Sequence, residues 1–274
     1  MTPATQLVAS TRVSHLFVEI EGARLHLLDF GGSGRPVILL HGVLGQAWMW
    51  HDVAPGLTAA GRVLALDFRG YGDSQWSEGG YTTEGHADDV EAVIEALGTE
   101  VDLVGFSWGG LVALALAVRR PDVVRRFAMV DIPPASSQSE TEVPPLSPEF
   151  ANHAAAVEID QRLSPRAGKR MLATMGAFGT RAAPGGGLTR KHDPFFLERW
   201  PFRSDDRWDE LRAARQPLLI VHAAQSPVLS AEDAALMREE AHEATLVQIG
   251  DCGHLIPVER PTPLTTALAD FLRP

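Results

Sequence analysis

The chain has 274 residues, of which 45% are hydrophobic and 22% are charged, and its formal net charge is −11. This composition is typical of a globular protein with a sizeable core, and the negative charge argues against a nucleic-acid partner. A single cysteine excludes an internal disulfide, and the longest apolar stretches are too short to span a membrane. The first fifteen residues lack the pattern of a secretory signal, so we expect a cytoplasmic protein.

The order of apolar runs along the chain predicts an α/β fold. Two β-rich segments, 15–22 and 23–31, open it and are joined at a Glu-Gly turn. Short apolar runs then alternate with helical patterns, which predicts a mostly parallel eight-stranded sheet with helices on both faces. The six further strands are predicted at 37–40, 63–68, 101–106, 126–131, 218–222 and 244–250. Helices are predicted near 49–60 and over 84–97, 108–119, 231–241 and 262–272.

Residues 132–207 interrupt this alternation. The segment begins rich in Pro and Ser, continues with a helical pattern over about 150–176, and then has a Gly-rich loop. We interpret 1–131 and 208–274 as one α/β core and 132–207 as a helical cap inserted above the sheet. A loosely packed helical decoration is the alternative interpretation.

The predicted cap is rich in Met and aromatic residues, which favours a hydrophobic small-molecule substrate. Met171, Met175 and Phe178 are the candidate contacts of that substrate in the cap, and His41 and Gly42 are the candidate contacts in the core. Glycines 185–187 are a candidate hinge through which such a cap could open.

The segment Gly105-Phe106-Ser107-Trp108-Gly109 follows the predicted strand 101–106 and opens a predicted helix. In this context the Gly-x-Ser-x-Gly pattern predicts a nucleophile elbow, in which Ser107 projects from a tight, strained turn. Only small residues at 105 and 109 let the strand and the helix pack closely enough. The amides at the start of the helix favour developing negative charge at the same place. A glycine-rich turn with an incidental serine is the competing interpretation.

Four motifs in order give the chain a resemblance to α/β-hydrolase-fold proteins of the esterase, haloperoxidase and C–C hydrolase type. They are ILLHGVLGQAWMW (38–50), LDFRGYGDS (66–74), GFSWGG (105–110) and GDCGHLIPVERP (250–261). The resemblance extends over essentially the whole length and implies the α/β-hydrolase fold with a cap. The motifs are much less specific for the substrate.

Acyl transfer to a serine needs two hydrogen-bond donors that stabilise the tetrahedral oxyanion. One donor is expected to be the backbone N–H of Trp108, directly after the nucleophile. The resemblance implies that the other is the backbone N–H of Val43. Gly42 lets the chain turn close to the substrate, whereas His41 is expected to support the loop more than to perform chemistry.

His254 is the candidate base, because it lies in a short Gly-flanked loop after the last predicted strand. In a nucleophile-elbow hydrolase the base follows the serine in chain order, at this place. A neutral imidazole at this place can take the proton of Ser107 and return it to the leaving group. Cys252 lacks an elbow, and we expect it to be a small buried filler.

The acid of the triad is not where the resemblance implies it. The loop after strand 218–222 has Ser226 at the usual acid position, 28 residues before His254. Asp131, at the end of the predicted strand 126–131, lies on the same rim as the nucleophile, where catalytic groups gather in α/β sheets. Haloalkane dehalogenase-like members of the fold place their acid after this strand. We therefore predict Asp131 as the acid and expect Ser226→Ala to change little.

Two alternatives for the acid stay open. Asp251 or Asp233 could substitute locally, although Asp251 is close to His254 in sequence. The acid could also be absent, which would leave a slow dyad or a protein without catalysis, since loss of the aspartate costs about 10⁴ in turnover in a trypsin-like triad.

The predicted function is hydrolysis of a carboxylic ester, lactone or thioester of a hydrophobic small molecule through an acyl-enzyme on Ser107. C–C bond hydrolysis and cofactor-free perhydrolysis use the same residues, and a ligand-binding or cyclase-like scaffold is the rival from another class. The histidines are scattered and no His-Glu-x-x-His or Cys/His cluster occurs, so we expect neither a metal nor a cofactor. A monomer or a homodimer is expected.

Overall fold

The computed structural model describes residues 13–135, 149–198 and 206–273. Its main sheet has eight strands in the order β1-β2-β4-β3-β5-β6-β10-β11. These strands are β1 (Ser14–Ile20), β2 (Ala23–Gly31), β3 (Pro36–Leu40), β4 (Arg62–Asp67), β5 (Val101–Phe106), β6 (Val124–Val130), β10 (Leu218–Ala223) and β11 (Ala244–Ile249). Of these eight, β2 runs against the other seven. The predicted mostly parallel eight-stranded sheet is confirmed.

Both faces of the sheet are covered, which is why its central strands are apolar throughout. Every residue of β3, β5 and β10 is buried. One face packs on α1 (Thr83–Leu97), α2 (Trp108–Arg119) and other helices, and α9 (Pro261–Leu272) lies on the opposite face. The remaining helices are α3 (His153–Leu163), α4 (Lys169–Phe178), α5 (Phe195–Glu198), α6 (Trp208–Ala213), α7 (Ala231–Glu240) and α8 (Ile256–Glu259).

The helix predicted near 49–60 is wrong. Two short 3-10 helices, Ala47–Trp50 and Ala54–Leu57, stand in its place. Pro55 has no N–H to donate to the preceding turn, so a continuous α-helix cannot pass through this position without losing a hydrogen bond. The apolar side chains of the segment are nevertheless buried, as the prediction required.

The segment 149–198 contains more than helices. Helices α3 and α4 replace the single helical region predicted over 150–176, and Pro165 lies in the break between them. A three-stranded antiparallel sheet, absent from the prediction, accompanies them, with strands β7 (Glu149–Phe150), β9 (Leu188–Arg190) and β8 (Thr180–Ala182) in that order. The division into a core and a cap at 132–207 stays a prediction, part of which falls on 136–148 and 199–205, outside the described residues.

Glycines 185–187, predicted as a hinge, lie in the turn that joins β8 to β9. Gly186 and Gly187 have φ of 93° and 78°, which L side chains rarely adopt. The N–H of Ala183 donates to the carbonyl of Gly187 at 3.1 Å. The turn therefore closes a hydrogen-bonded hairpin.

No helix in the described parts of the chain is both long enough and apolar enough to cross a bilayer. The carboxyl ends of β3, β5, β6, β10 and β11 meet at one rim of the sheet. Loops leaving this rim carry the residues predicted for catalysis.

Candidate active site

Ser107 occupies the sharp turn between β5 and α2. Its backbone has φ 51° and ψ −126°, a conformation that is uncommon for a non-glycine residue. The N–H of Ser107 donates to the carbonyl of Val130 at 2.8 Å, and its carbonyl accepts from the N–H of Gly110 at 2.7 Å. These bonds hold the strained turn, so the position has the backbone expected of a nucleophile elbow.

The glycines beside Ser107 are required by close backbone contacts. A Cβ added to Gly105 would lie 2.1 Å from the carbonyl oxygen of Gly109. A Cβ added to Gly109 would lie 2.6 Å from the carbonyl oxygen of Leu40. Strand and helix therefore approach more closely than any side chain at these positions would permit.

Asp131 follows β6 at the same rim and is fully buried. It has φ 58°, which is also uncommon for a non-glycine residue. Its N–H donates to the carbonyl of Val221 on β10 at 2.7 Å. The conformation and this bond fix the point from which its side chain leaves the backbone.

The structure brings together the three residues predicted for the triad. His254 Nδ1 lies 2.7 Å from Asp131 Oδ2, and His254 Nε2 lies 3.1 Å from Ser107 Oγ. An ionised carboxylate can only accept, so Nδ1 carries the proton in this arrangement and Nε2 presents its lone pair to the serine hydroxyl. The ring of Phe106 packs against the imidazole with centroids 4.9 Å apart.

Ser226 occupies the position at which the resemblance implies the triad acid. Its side chain forms a hydrogen bond with Asp131, the residue predicted to be that acid. Its Oγ donates to Asp131 Oδ2 at 2.5 Å and accepts the backbone N–H of Val228 at 3.0 Å. The N–H of Ala223 donates to the other carboxylate oxygen of Asp131 at 2.9 Å. Ser226 therefore contacts the carboxylate that stands beside His254, a relation that the sequence did not indicate.

The two alternative acids have other partners. Asp251 forms ion pairs with Arg260 and Arg166 on the surface. Asp233 lies on α7, where its carboxylate bonds the hydroxyl of Ser230 at 2.7 Å. Asp131 is the carboxylate that the structure places on His254.

The segment that follows β3 lies directly over the nucleophile. A Cβ added to Gly42 would lie 2.9 Å from Ser107 Cβ, so a glycine is needed for this approach. Val43 lines the cavity described below. The indole Nε1 of Trp108 donates to Thr83 Oγ1 at 3.0 Å, which anchors the first residue of α2 in the core. The assignment of the two amides to an oxyanion hole stays a prediction.

Both ring nitrogens of His41 face the backbone. Nδ1 lies 2.7 Å from the carbonyl of Gly42, and Nε2 accepts the N–H of Phe68 at 3.1 Å. Burial lowers the pKa of His41 to about 4, so the ring is neutral at pH 7. The predicted supporting place of His41 agrees with these bonds, and the residue does not line the cavity.

A cavity of about 240 Å³ lies between the sheet rim and the segment 149–198. Val43, Phe106 and Leu255 contribute to its wall and are adjacent in sequence to Gly42, Ser107 and His254, respectively. The opposite wall is largely apolar and includes residues of α3, α4 and the small sheet. The cavity therefore lies beside the loops that carry Gly42, Ser107 and His254.

The three substrate contacts predicted in the cap occupy different environments, and the two predicted in the core, His41 and Gly42, do not line the cavity. Met175 lines the cavity. Met171 is buried in the core, and Phe178 is 43% exposed and stacks on Trp48 with ring centroids 3.9 Å apart. The three residues follow one another at i, i+4 and i+7 along one face of α4, so their environments change along the length of that face, which a pattern of apolar residues alone does not resolve.

Two polar residues of the cavity were missed from the sequence. Gln46 Oε1 and His192 Nε2 are buried without a hydrogen-bond partner among the described residues. The amide nitrogen of Gln46 donates to the carbonyl of Met175 at 3.2 Å, which fixes the oxygen as the unpaired end. Burial lowers the pKa of His192 to about 4. Gln46 lies within the motif 38–50, but nothing in that motif distinguishes its side chain, and His192 belongs to no motif.

Cys252 is buried near the base, as predicted. Burial raises the pKa of its thiol to about 12, with the carboxylates of Glu259 and Asp131 acting in the same direction. The thiolate, which is the reactive form, is therefore disfavoured at neutral pH.

Comparison with known proteins identifies the family of the chain. The family model described as the alpha/beta hydrolase fold matches residues 35–173, about half of the chain. The chain therefore belongs to the alpha/beta hydrolase family.

Two relatives and one solved structure are similar over most of the chain. N-formylmaleamate deformylase of Pseudomonas putida is 29% identical and covers 96% of this chain and 98% of its own. An esterase of Mycobacterium tuberculosis is 26% identical and covers 89% and 85%. The crystal structure of E-2-(acetamidomethylene)succinate hydrolase has a TM-score of 0.87 at 22% identity, with coverage of 95% and 99%. The last comparison shows the fold alone.

Proposed function

We propose that the protein is a serine hydrolase that cleaves a carboxylic ester, lactone or thioester of a compact hydrophobic molecule. One observation carries the proposal. The imidazole of His254 bridges Ser107 Oγ and Asp131 Oδ2 at 3.1 and 2.7 Å, at the edge of an apolar cavity. Nucleophile, base and orienting carboxylate within this reach are the requirements of acyl transfer to serine.

In the first half of the reaction, Ser107 Oγ attacks the substrate carbonyl while its proton moves to His254 Nε2. The carbonyl oxygen becomes an oxyanion, which the backbone amides of Val43 and Trp108 stabilise. Asp131 keeps Nδ1 protonated and stabilises the positive charge of the imidazolium. Collapse of the intermediate expels the alcohol or thiol, which receives the proton from Nε2, and leaves the acyl group on Ser107.

In the second half, a water molecule takes the place of the leaving group. His254 Nε2 removes a proton from this water as it attacks the acyl carbonyl, and the same two amides hold the new oxyanion. The proton then returns to Ser107 Oγ and the carboxylic acid leaves.

The volume of the cavity supports a compact acyl group in the substrate. A volume of about 240 Å³ is small for a ligand site, so a compact acyl group fits and a long fatty chain does not. Its wall is mainly apolar, but the unpaired Gln46 Oε1 favours a substrate with a hydroxyl or N–H group directed at it. The likeness to a named esterase supports the choice of an ester as the test substrate.

A panel of p-nitrophenyl esters of increasing acyl length tests the proposal. We expect hydrolysis of short acyl groups and a steep fall once the chain exceeds the cavity. Because Met175 lines the cavity, Met175→Ala is expected to move the preferred length upward. Leu236→Ala, a similar truncation at a half-exposed position on α7, is the matched control and is expected to leave the preference unchanged.

The same panel includes a lactone, a thioester and a 2-hydroxy-6-oxo-dienoate, the substrate type of C–C hydrolases. Turnover of the dienoate without turnover of any acyl compound would replace the proposal by C–C hydrolysis. A folded protein that turns over none of them would contradict a hydrolytic function and favour the binding scaffold.

A further inference from the structure

Three side chains with metal-binding atoms converge at a place separate from the three predicted triad residues. They are His15 on β1, His26 on β2 and Asp73 in the loop after β4, and one ligand atom of each lies within 4.8 Å of the others. His15 Nδ1 is 2.8 Å from His26 Nε2. In the register of β1 and β2, His26 lies opposite Phe17, so His15 is its diagonal neighbour on the same face.

The ring of His26 is oriented with the lone pair of Nε2 toward His15, whose Nδ1 donates to it at 2.8 Å. Its Nδ1 lies 2.7 Å from Asp67 Oδ2, and because the carboxylate accepts, Nδ1 carries the proton. Nε2 is then the unprotonated nitrogen that faces His15. A histidine that binds a metal in a protein almost always donates its other ring N–H to a carboxylate in this manner.

Asp67 fixes the position of Asp73 as well. Its Oδ2 also accepts the backbone N–H of Asp73 at 3.0 Å, and its Oδ1 accepts the N–H of Ala47 at 2.6 Å. Both Asp67 and His26 are buried. One buried carboxylate therefore holds two of the three potential ligands. Because these ligands are ordered before a metal arrives, the entropic cost of metal binding is lower.

Solvent has access to the remaining side. His15 is exposed, and the side chain of Asp73 is 36% exposed and borders an open surface pocket. The ammonium of Lys191 lies 2.7 Å from Asp73 Oδ1 and is the cation that a metal would have to displace.

We propose that His15, His26 and Asp73 form a binding site for a divalent transition metal, of which Zn²⁺ is the best match. Two imidazoles and a carboxylate are a common ligand set for zinc, and water can supply the fourth position. Zinc–nitrogen bonds of about 2.0–2.1 Å place two tetrahedral nitrogens roughly 3.3 Å apart. From its present 2.8 Å contact with His26, the exposed ring of His15 reaches that separation by a small rotation, and the proton on its Nδ1 moves to Nε2 through solvent so that Nδ1 can bind the metal.

The sequence did not indicate this site, because its three residues belong to three elements and match no metal-binding spacing. The pairing of β1 with β2 brings the two histidines together, and the turn around Asp67 adds the aspartate.

The test titrates Zn²⁺ by calorimetry, and Co²⁺ by visible absorption, into the full chain purified without a histidine tag and treated with a chelator. We expect one equivalent to bind, and His15→Ala to weaken binding at least about 10-fold. Lys191→Met removes the competing cation and is expected to strengthen it. His51→Ala is the matched control, since His51 also pairs with a neighbouring aspartate at the surface, and it is expected to have no effect.

Circular dichroism establishes that each variant is folded before titration. The proposal is overturned if the wild-type protein binds neither ion at concentrations up to about 1 mM, since a Kd of 1 mM corresponds to a binding free energy of only about −4 kcal/mol. It is also overturned if folded His15→Ala binds with wild-type affinity, which would place the metal at another group such as His254.

Discussion

Asp131 combines an unusual backbone conformation with four hydrogen bonds. Its φ is 58°, and its N–H is held by the carbonyl of Val221 at 2.7 Å. Its carboxylate accepts from Ala223, Ser226 and His254 at 2.5–2.9 Å. Several donors hold the buried carboxylate in one orientation, as a triad acid requires.

Replacing Ser226 by alanine removes one of these donors. The bond from Ser226 Oγ to Asp131 Oδ2 is charge-assisted and worth about 1.5–3 kcal/mol. Part of that loss is expected in catalysis, as a fall in kcat/KM of about 10-fold with little change in KM. The contact thereby revises our expectation from the sequence that Ser226→Ala changes little. Steady-state kinetics on a short-acyl ester measures the effect.

Asp131→Asn is the reference for this comparison. It is expected to lower kcat by about 10⁴, because the amide no longer favours the correct tautomer of His254. A larger loss for Ser226→Ala than for Asp131→Asn, with both variants folded, would contradict the assignment of Asp131 as the acid.

At this scale the sequence was informative where a residue type is tied to a motif. Ser107 and His254 each follow from a glycine-flanked motif after a strand, and Asp131 follows from its place at a strand end. The contact of Ser226 with Asp131 could not be predicted, because the direction of a loop side chain depends on the paths of two loops that are distant in sequence.

At the scale of elements, the turn from β5 to α2 is the most constrained part of the site. Gly105→Ala would place a Cβ 2.1 Å from the carbonyl oxygen of Gly109, and neither backbone can move without displacing Ser107. We expect a loss of at least about 2 kcal/mol in the free energy of unfolding, together with loss of activity. Urea denaturation measures the first quantity and ester hydrolysis the second.

Gly79→Ala is the control for this prediction. A Cβ at Gly79 meets nothing within 4 Å, and its φ is not in the left-handed region. Its stability is expected to equal that of the wild type within about 0.5 kcal/mol. An equally stable and active Gly105→Ala variant would show that the elbow is less tightly packed than the structure indicates.

Elements with strong apolar patterns were predicted well, and those set by tertiary contacts were not. All eight strands of the main sheet were placed within two residues, because buried parallel strands are short, continuous apolar runs. The strands β7, β8 and β9 have only two or three residues each, so they show no alternation that could be recognised.

At the scale of the whole molecule, buried histidines link stability to pH. Burial, reinforced by the charge of Arg190 and opposed by that of Asp193, lowers the pKa of His192 to about 4. Between pH 6.5 and 4 the unfolded chain binds a proton at this residue and the folded chain does not. The free energy of unfolding therefore falls as the pH falls through this window, by about 1.4 kcal/mol per pH unit.

Removing this group is expected to reduce the acid sensitivity of the fold. Between about pH 7 and pH 5, the loss of unfolding free energy should be about 2 kcal/mol smaller for His192→Gln than for the wild type. Urea denaturation at the two pH values measures the difference. The exposed His242 is solvated in both states, so His242→Gln is expected to behave as the wild type. Equal acid sensitivity of all three proteins would contradict a buried neutral His192.

The general architecture was accessible from the sequence and the cavity was not. The alternation of apolar runs and helices predicts the sheet, and four motifs place the catalytic rim. The wall of the cavity combines residues from the sheet rim, α3, α4 and the small sheet, so the places of Gln46 and His192 among its polar residues depend on how these elements pack.

The central claim is that Ser107, His254 and Asp131 act together as a catalytic triad. Labelling by a fluorophosphonate, followed by mass spectrometry of the intact protein and its peptides, tests it most directly. We predict one adduct on Ser107 of the wild type, none on Ser107→Ala, and strongly slowed labelling of folded Asp131→Asn. Absence of labelling on the folded wild type, or labelling of Asp131→Asn at the wild-type rate, would contradict it.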